Sequence, residues 1–367
     1  MHHKKKILYI GPYREFSGAG NAARNYIQAF HEAGHDVCIA PIFYTGETYP
    51  ENEISSDILP LENNHLKKYD IVIQHCHPFD YVYSNKFDAS IGIYQFSCNS
   101  IRPSVISRLM MMDKVILNSR HNQKIIESLS GSISTAVVPE LIDSNLKNKP
   151  YIEYSWLKKQ PNPVVFYTIG DFIERKNIQD IIRAFIYTFR DNDNVELIVK
   201  TKPHYSHKQQ DLINKELEYY IEKIYASLRM DKKSHKQPKI MVGQFDYSYL
   251  LALHQNCNIY VDASMAENFG YSCLEAALFD NYLIVNENSS TYEISESAFA
   301  TSSRPVSVLD SYTANFVDNT VQDFWYHINF EELCNNMSKA YLKAIVAPKK
   351  QHDLSRYDYS NIEGMIL

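Results

Sequence analysis

The order of apolar segments along the chain predicts an α/β protein made of two doubly wound, Rossmann-like domains. Three observations carry that expectation. Short β-branched or aromatic runs alternate with segments of helical period, the pattern of parallel strands joined by crossover helices. The alternation stops across residues 139–163, where Pro139, Pro150, Pro161 and Pro163 interrupt a stretch of no sustained period. It then restarts, and 367 residues exceed one ordinary core but suit two of roughly 150 to 200 residues each.

In the first half, strands are expected at 7–11, 36–40, 70–75, 90–94, 114–118 and 135–138, with helices at 21–33 and 120–129. After the break, strands at 163–169, 195–201, 239–242, 258–262 and 282–286 alternate with helices at 177–189, 208–228, 247–255 and 272–279. Two helices follow, 330–346 and 361–367, the first with Asn329 and Glu332 spaced as a capping box. The expected division is 1–150, an N-terminal domain; 151–345, a C-terminal domain; and 346–367, a terminal segment that packs back on the first.

Composition narrows the function classes. With 37 basic and 43 acidic residues the net charge is −6. Residues 1–140 hold 13 Lys and Arg against 14 Asp and Glu. A grip on nucleic acid or an anionic bilayer usually needs a basic face, so neither partner is favoured. The basic run at 229–239 reads as a solvated loop. Apolar runs such as ILYIG at 7–11 are strand-sized, far below the roughly 18 residues of a membrane span. No secretion signal is expected, because the run after Lys4, Lys5 and Lys6 is already a strand. Cys38, Cys76, Cys98, Cys257, Cys273 and Cys334 show no metal or redox spacing, which suits reduced thiols in the cytoplasm.

Four constellations carry chemistry. In AENFGYSCLEAAL, Glu267 is expected in the loop after a strand and Glu275 one turn into the next helix. Gly270 permits the tight turn between them, and the N–H groups around Asn268, Phe269 and Gly270 suit an anion. Ordinary surface carboxylates give the same spacing. In GDFIERKN, Arg175 and Lys176 stand at an expected helix start, where cations oppose the dipole and a bound anion would account for them. In SGAGNAARN, Gly18 and Gly20 follow the first strand, without the three glycines of a dinucleotide fingerprint, and either approach a ligand or make a tight turn. In IVIQHCHPF, His75 and His77 alternate along a strand. No third metal ligand is near in sequence, leaving a buried histidine with its own partner or one that positions substrate. Lys200 ends another strand, as cleft residue or solvated lysine, and Asn118 with Ser119 reads best as a helix cap.

In this order the segments resemble the retaining GT-B glycosyltransferases known as glycosyl transferases group 1. SGAGNAARNYIQAFHEAGHDV is similar to the family's glycine loop, IVIQHCH to its histidine strand, FYTIGDFIERKNIQDIIRAF to its basic motif and AENFGYSCLEAALFDNYLIV to its two-glutamate motif. KVILNSRHNQKII and VVPELIDSN resemble the run into its linker, and FWYHINFEELCNNMSKAY with YDYSNIEGMIL its C-terminal helices.

The resemblance implies two domains facing across a cleft and transfer of a sugar from a nucleotide-diphosphate sugar to a glycan, lipid-linked or other hydroxyl acceptor. It implies retention of anomeric configuration, no metal and no cofactor. Glu275 would hold the donor ribose, Glu267 the sugar hydroxyls, Arg175 and Lys176 the leaving diphosphate, Gly18 and Gly20 the donor phosphates, and His77 the sugar near the reacting carbon. Asp171 after the glycine of the basic motif, Asn268 before Phe269, and Ser290 with Thr291 before Glu293 depart from the family's pattern and bear on donor identity. Alternative readings are an epimerase or phosphorylase of this fold, a non-catalytic nucleotide-sugar-binding subunit, and a phage-type transferase acting on modified DNA bases.

Overall fold

The computed structural model of the chain describes residues 4–15, 17–44, 54, 56–98, 101–150, 163–190, 194–203, 210–230, 237–308 and 324–362. These form two compact units. One takes the described residues up to Asp143 together with those from Ser355 onward, and the other takes those from Ser144 to Leu354.

The first unit is built on β1 (Lys6–Gly11), β2 (Asp36–Pro41), β3 (Ile71–His75), β4 (Ala89–Ile93), β5 (Lys114–Leu117) and β6 (Thr135–Val137). They form a parallel six-stranded sheet in the order β2-β1-β3-β4-β5-β6. Helices α1 (Gly18–Glu32), α2 (Pro103–Leu109) and α3 (Arg120–Leu129) belong to it. Every residue of IVIQH in β3 is buried, which is why this strand reads as an unbroken run instead of an alternating one. Ser119 caps α3 by accepting from the Asn122 N–H at 3.1 Å, while Asn118 donates to the Tyr26 hydroxyl at 2.9 Å. The last described residues complete this unit: the Ile142 N–H donates to the Tyr357 carbonyl at 3.0 Å, and the Tyr359 hydroxyl donates to Asn25 at 2.6 Å.

The second unit holds β7 (Val164–Asp171), α4 (Ile178–Phe189), β8 (Val195–Lys202), α5 (Gln210–Ser227), β9 (Lys239–Val242), α6 (Tyr247–Asn256), β10 (Ile259–Asp262), α7 (Tyr271–Leu278), β11 (Tyr282–Asn286) and β12 (Phe299–Thr301). Its parallel sheet runs β12-β11-β10-β7-β8-β9. Helix α4 buries Ile178, Ile181, Ile182, Phe185, Ile186 and Phe189, a stripe of helical period against β7 and β8. An antiparallel pair, β13 (Ser303–Ser307) with β14 (Phe324–Ile328), and α8 (Phe330–Val346) follow.

Several sequence expectations shift. Helix α1 begins at Gly18, not 21, because Ser17 caps it by accepting from the Gly20 N–H at 3.0 Å. Asn329 caps α8 as expected, at 3.1 Å from the Glu332 N–H, but the box is half made. The Glu332 carboxylate takes the Ser302 N–H at 2.9 Å instead of reaching back. Strands β12, β13 and β14 were not anticipated. The expected helix at 361–367 lies outside the described residues from 363 onward, as do 151–162 of the linker and 231–236 of the basic run.

Candidate functional site

Open parallel sheets bind ligands beyond the carboxyl ends of their strands, where the strand order reverses. In the second unit the chain steps outward through β8 and β9 on one side of β7 and through β10, β11 and β12 on the other. The reversal lies between β7 and β10, and the loops after those two strands carry Arg175, Lys176 and Glu267.

After β7, residues Glu174–Lys176 form a single 3-10 turn, and Asn177, at φ 49°, begins α4. Arg175 and Lys176 therefore precede the helix and do not open it. After β10, Asp262 accepts from both the backbone and the hydroxyl of Ser264, at 3.0 and 2.5 Å. The Met265 N–H donates to the Arg175 carbonyl at 2.8 Å, and Arg175 Nη1 donates to the Ala266 carbonyl at 2.5 Å. The Ser290 hydroxyl holds the Glu267 carbonyl at 2.7 Å, and Trp325, 1% exposed, packs against Met265 and Ala266. The two loops are thus riveted together before any ligand arrives.

On this frame the Glu267 carboxylate lies 3.0 Å from Arg175 Nη1 and 2.5 Å from Lys176 Nζ, with its side chain 12% exposed. Burial pushes its pKa up, but Lys176 and Arg175 outweigh that and hold it down at about 2. Within the protein, both cations meet the carboxylate of Glu267, converging on one of its oxygens, Oε2.

Gly270 occupies φ +88° at the N-cap of α7, and a Cβ there would stand 2.2 Å from Thr291 Cγ2. Glycine is required by both the dihedral and the contact. Phe269 is 2% exposed, Asn268 is half-buried, and Lys200 is buried within β8. Glu275, 2% exposed, sits in α7 with one oxygen receiving the Tyr247 hydroxyl and the other 3.4 Å from His254 Nε2. Neither Tyr247 nor His254 was singled out from the sequence. A histidine in the apolar run LLALHQ was the available signal for the second.

The remaining candidates lie in the first unit, whose order reverses between β1 and β3. Gly18 and Gly20 form the first turn of α1. A Cβ on Gly20 would stand 2.1 Å from the Glu15 carbonyl oxygen, so the tight turn of its own preceding loop requires glycine there. His75 and His77 do not form a pair. His75, 3% exposed, bonds Tyr9 at 2.8 Å, and burial pulls its pKa down to about 4 against an opposing bond from Gln95. His77 lies beyond β3, receives the Phe79 N–H on Nδ1 at 3.3 Å and packs against Tyr94. Burial lowers its pKa, with Asp80 opposing. Among the described residues no group of three or more His, Cys, Asp or Glu is arranged to hold a metal, and no helix is long and apolar enough to cross a membrane.

No protein-family model matches the chain, and no curated protein sequence matches it. Solved structures do. One is the E. coli structure described as trehalose-6-phosphate bound with UDP-2-fluoro glucose, at TM-score 0.62 and 11% identity, covering 97% of this chain and 94% of that one. A glycosyltransferase from Rickettsia africae matches at TM-score 0.62 and 13% identity, over 98% and 96% of the two chains. Anabaena HepE, in complex with UDP and glucose, matches at TM-score 0.57 and 15% identity, over 98% and 97%. The chain accordingly has the GT-B fold, two parallel-sheet α/β domains, along nearly its whole length.

Proposed function

We propose that the protein is a retaining glycosyltransferase that moves a sugar from a nucleoside diphosphate sugar to an acceptor hydroxyl without a metal ion. The observation that carries this reading is the convergence of Arg175, Lys176 and Glu267 from the two loops that flank the strand-order reversal of the second sheet. It gains support from neighbours of the same fold that hold UDP or a UDP-sugar analogue.

In the reaction the bond between the anomeric carbon and the diphosphate oxygen breaks while the acceptor oxygen bonds the same face of that carbon. The acceptor proton passes to a diphosphate oxygen, giving a glycoside and a nucleoside diphosphate. Charge grows on the diphosphate as its bond breaks, and cations already fixed in place stabilise that charge with little reorganisation. Lys176 and Arg175 fill this role, with Glu267 holding them until a sugar hydroxyl shares its carboxylate. The N–H groups around Asn268, Phe269 and Gly270 and the Lys200 ammonium take the sugar and phosphates, and Glu275 takes the ribose. Gly18 and Gly20 are assigned to the donor phosphates and His77 to the sugar near the reacting carbon, and the first unit otherwise takes the acceptor side.

The test incubates UDP-, GDP- and ADP-sugars with a panel of hydroxyl acceptors and follows nucleotide release with and without EDTA. Acceptor-dependent release that survives EDTA is expected. Release abolished by EDTA and restored by manganese would overturn the metal-free step, and tight donor binding with no release under any acceptor would favour a binding subunit.

A further inference from the structure

Behind Glu275 lies a chain of buried polar groups that no sequence motif marks. Tyr167, His254 and Asn281 are each 0% exposed. Lys349 donates to the carbonyls of His254 and Cys257 at 3.1 and 2.8 Å and to Asn281 Oδ1 at 2.7 Å, which uses all three ammonium protons. Asn281 Nδ2 donates to the His254 carbonyl and to the Tyr167 hydroxyl, both at 2.8 Å. The Tyr167 hydroxyl meets His254 Nδ1 at 2.8 Å, and His254 Nε2 stands 3.4 Å from Glu275 Oε2.

The direction of every bond in this chain follows from its ends. An ammonium can only donate and a carbonyl can only accept, so the Asn281 amide has one permitted orientation. The Tyr167 oxygen then receives the Asn281 N–H, and the acceptor within reach of its own proton is His254 Nδ1 at 2.8 Å. A neutral imidazole with Nδ1 as acceptor carries its proton on Nε2, the nitrogen that faces Glu275. The ring itself is held by stacking on Phe279, at 5.8 Å and 21°, and by an edge contact with Tyr167.

We propose that His254 is a positioning residue for Glu275, fixed as the Nε2–H tautomer by the Lys349–Asn281–Tyr167 relay. With Tyr247 donating to Oε1 and His254 facing Oε2, the carboxylate plane is set from behind. A carboxylate has about four acceptor positions, so one on each oxygen is left for a vicinal diol. The inference rests on the assignment of Glu275 to the donor ribose.

The test compares the affinity of uridine, guanosine and adenosine diphosphates with that of their 2′,3′-dideoxy analogues, by calorimetry, for wild type and Tyr167→Phe. Wild type should prefer the ribose form of one base. Tyr167→Phe, in which His254 loses the hydroxyl that orients its ring behind Glu275, should lose up to about tenfold of that preference. The dideoxy affinity should stay unchanged. A merely structural role would lower thermal stability and leave the preference intact, and that result overturns the proposal. A wild type that binds a diphosphate with no preference for ribose overturns the Glu275 assignment, and this inference with it. Should Tyr167→Phe fail to fold, nitrogen-15 spectra of histidine-labelled wild type decide: a protonated Nε2 and bare Nδ1 on His254 support the relay, and the reverse overturns it.

Discussion

Replacing Glu267 by Gln keeps the shape of the side chain and removes the charge that Arg175 and Lys176 share. The fall in its pKa from 4.5 to about 2, at about 1.36 kcal/mol per tenfold change in the proton equilibrium, amounts to about 3 kcal/mol of folding stability. The side chain is 12% exposed, so solvent screening takes little from this figure. The same scale holds for breaking a buried pair by removing one partner. Because the folded pKa is depressed, the contribution is complete above about 4.5 and is lost as pH falls toward 2. Urea unfolding of wild type and Glu267→Gln, followed by tryptophan fluorescence, should differ by about 3 kcal/mol at pH 7, and the difference should close between pH 4.5 and 2. A gap that stays constant across that range would refute the reasoning, since it would place the energy of the pair in packing, not charge.

Lys176→Ala should lower kcat about 10²- to 10³-fold, as for loss of one preorganised contact to a developing anion, with a smaller change in KM; equal losses in donor binding and turnover would assign the lysine to ground-state binding. Gly270→Ala should destabilise by about 1–3 kcal/mol from the left-handed backbone alone, and Thr291→Ser, which removes the clashing methyl, should restore only part of the melting temperature. Full rescue by Thr291→Ser would show that the dihedral carries no cost. His327, whose pKa is raised chiefly by its bond to Asp180, 3.1 Å away, should stabilise the fold fully below its unfolded pKa and lose that contribution as pH rises through its folded one. A pH series of melting temperatures for wild type and His327→Gln that run parallel from pH 5 to 9 would refute this.

The central strands were legible because both faces are covered, so IVIQH and IYVD stand out as short apolar runs bounded by turns. SRPVS in β13 was not. It is largely exposed, carries Arg304 and Pro305, and finds its antiparallel partner in β14, well beyond it in sequence. At the site, Glu267 and Lys176 could each be picked out as motif residues, but their pairing spans 91 positions and follows from sheet topology, not spacing. At Gly20 the close backbone approach is that of the Glu15 carbonyl, which glycine spacing alone does not distinguish from approach to a ligand. Tyr167, His254, Asn281 and Lys349 were invisible for a further reason. They contribute one residue each from distant segments, and only the directionality of their hydrogen bonds joins them.

The return of the last described residues to the first unit has a consequence for biosynthesis. A nascent chain that has emerged only to Asp143 already holds all six strands of that unit's sheet. It lacks Tyr357, 1% exposed in the finished protein, and the Tyr359 hydroxyl that binds Asn25 of α1. The seat for these groups stays open while the ribosome makes the whole second unit. A gene fragment ending near residue 143 would therefore yield an early-folding unit with an uncovered α1, and appending residues 355–362 by a short linker should close it.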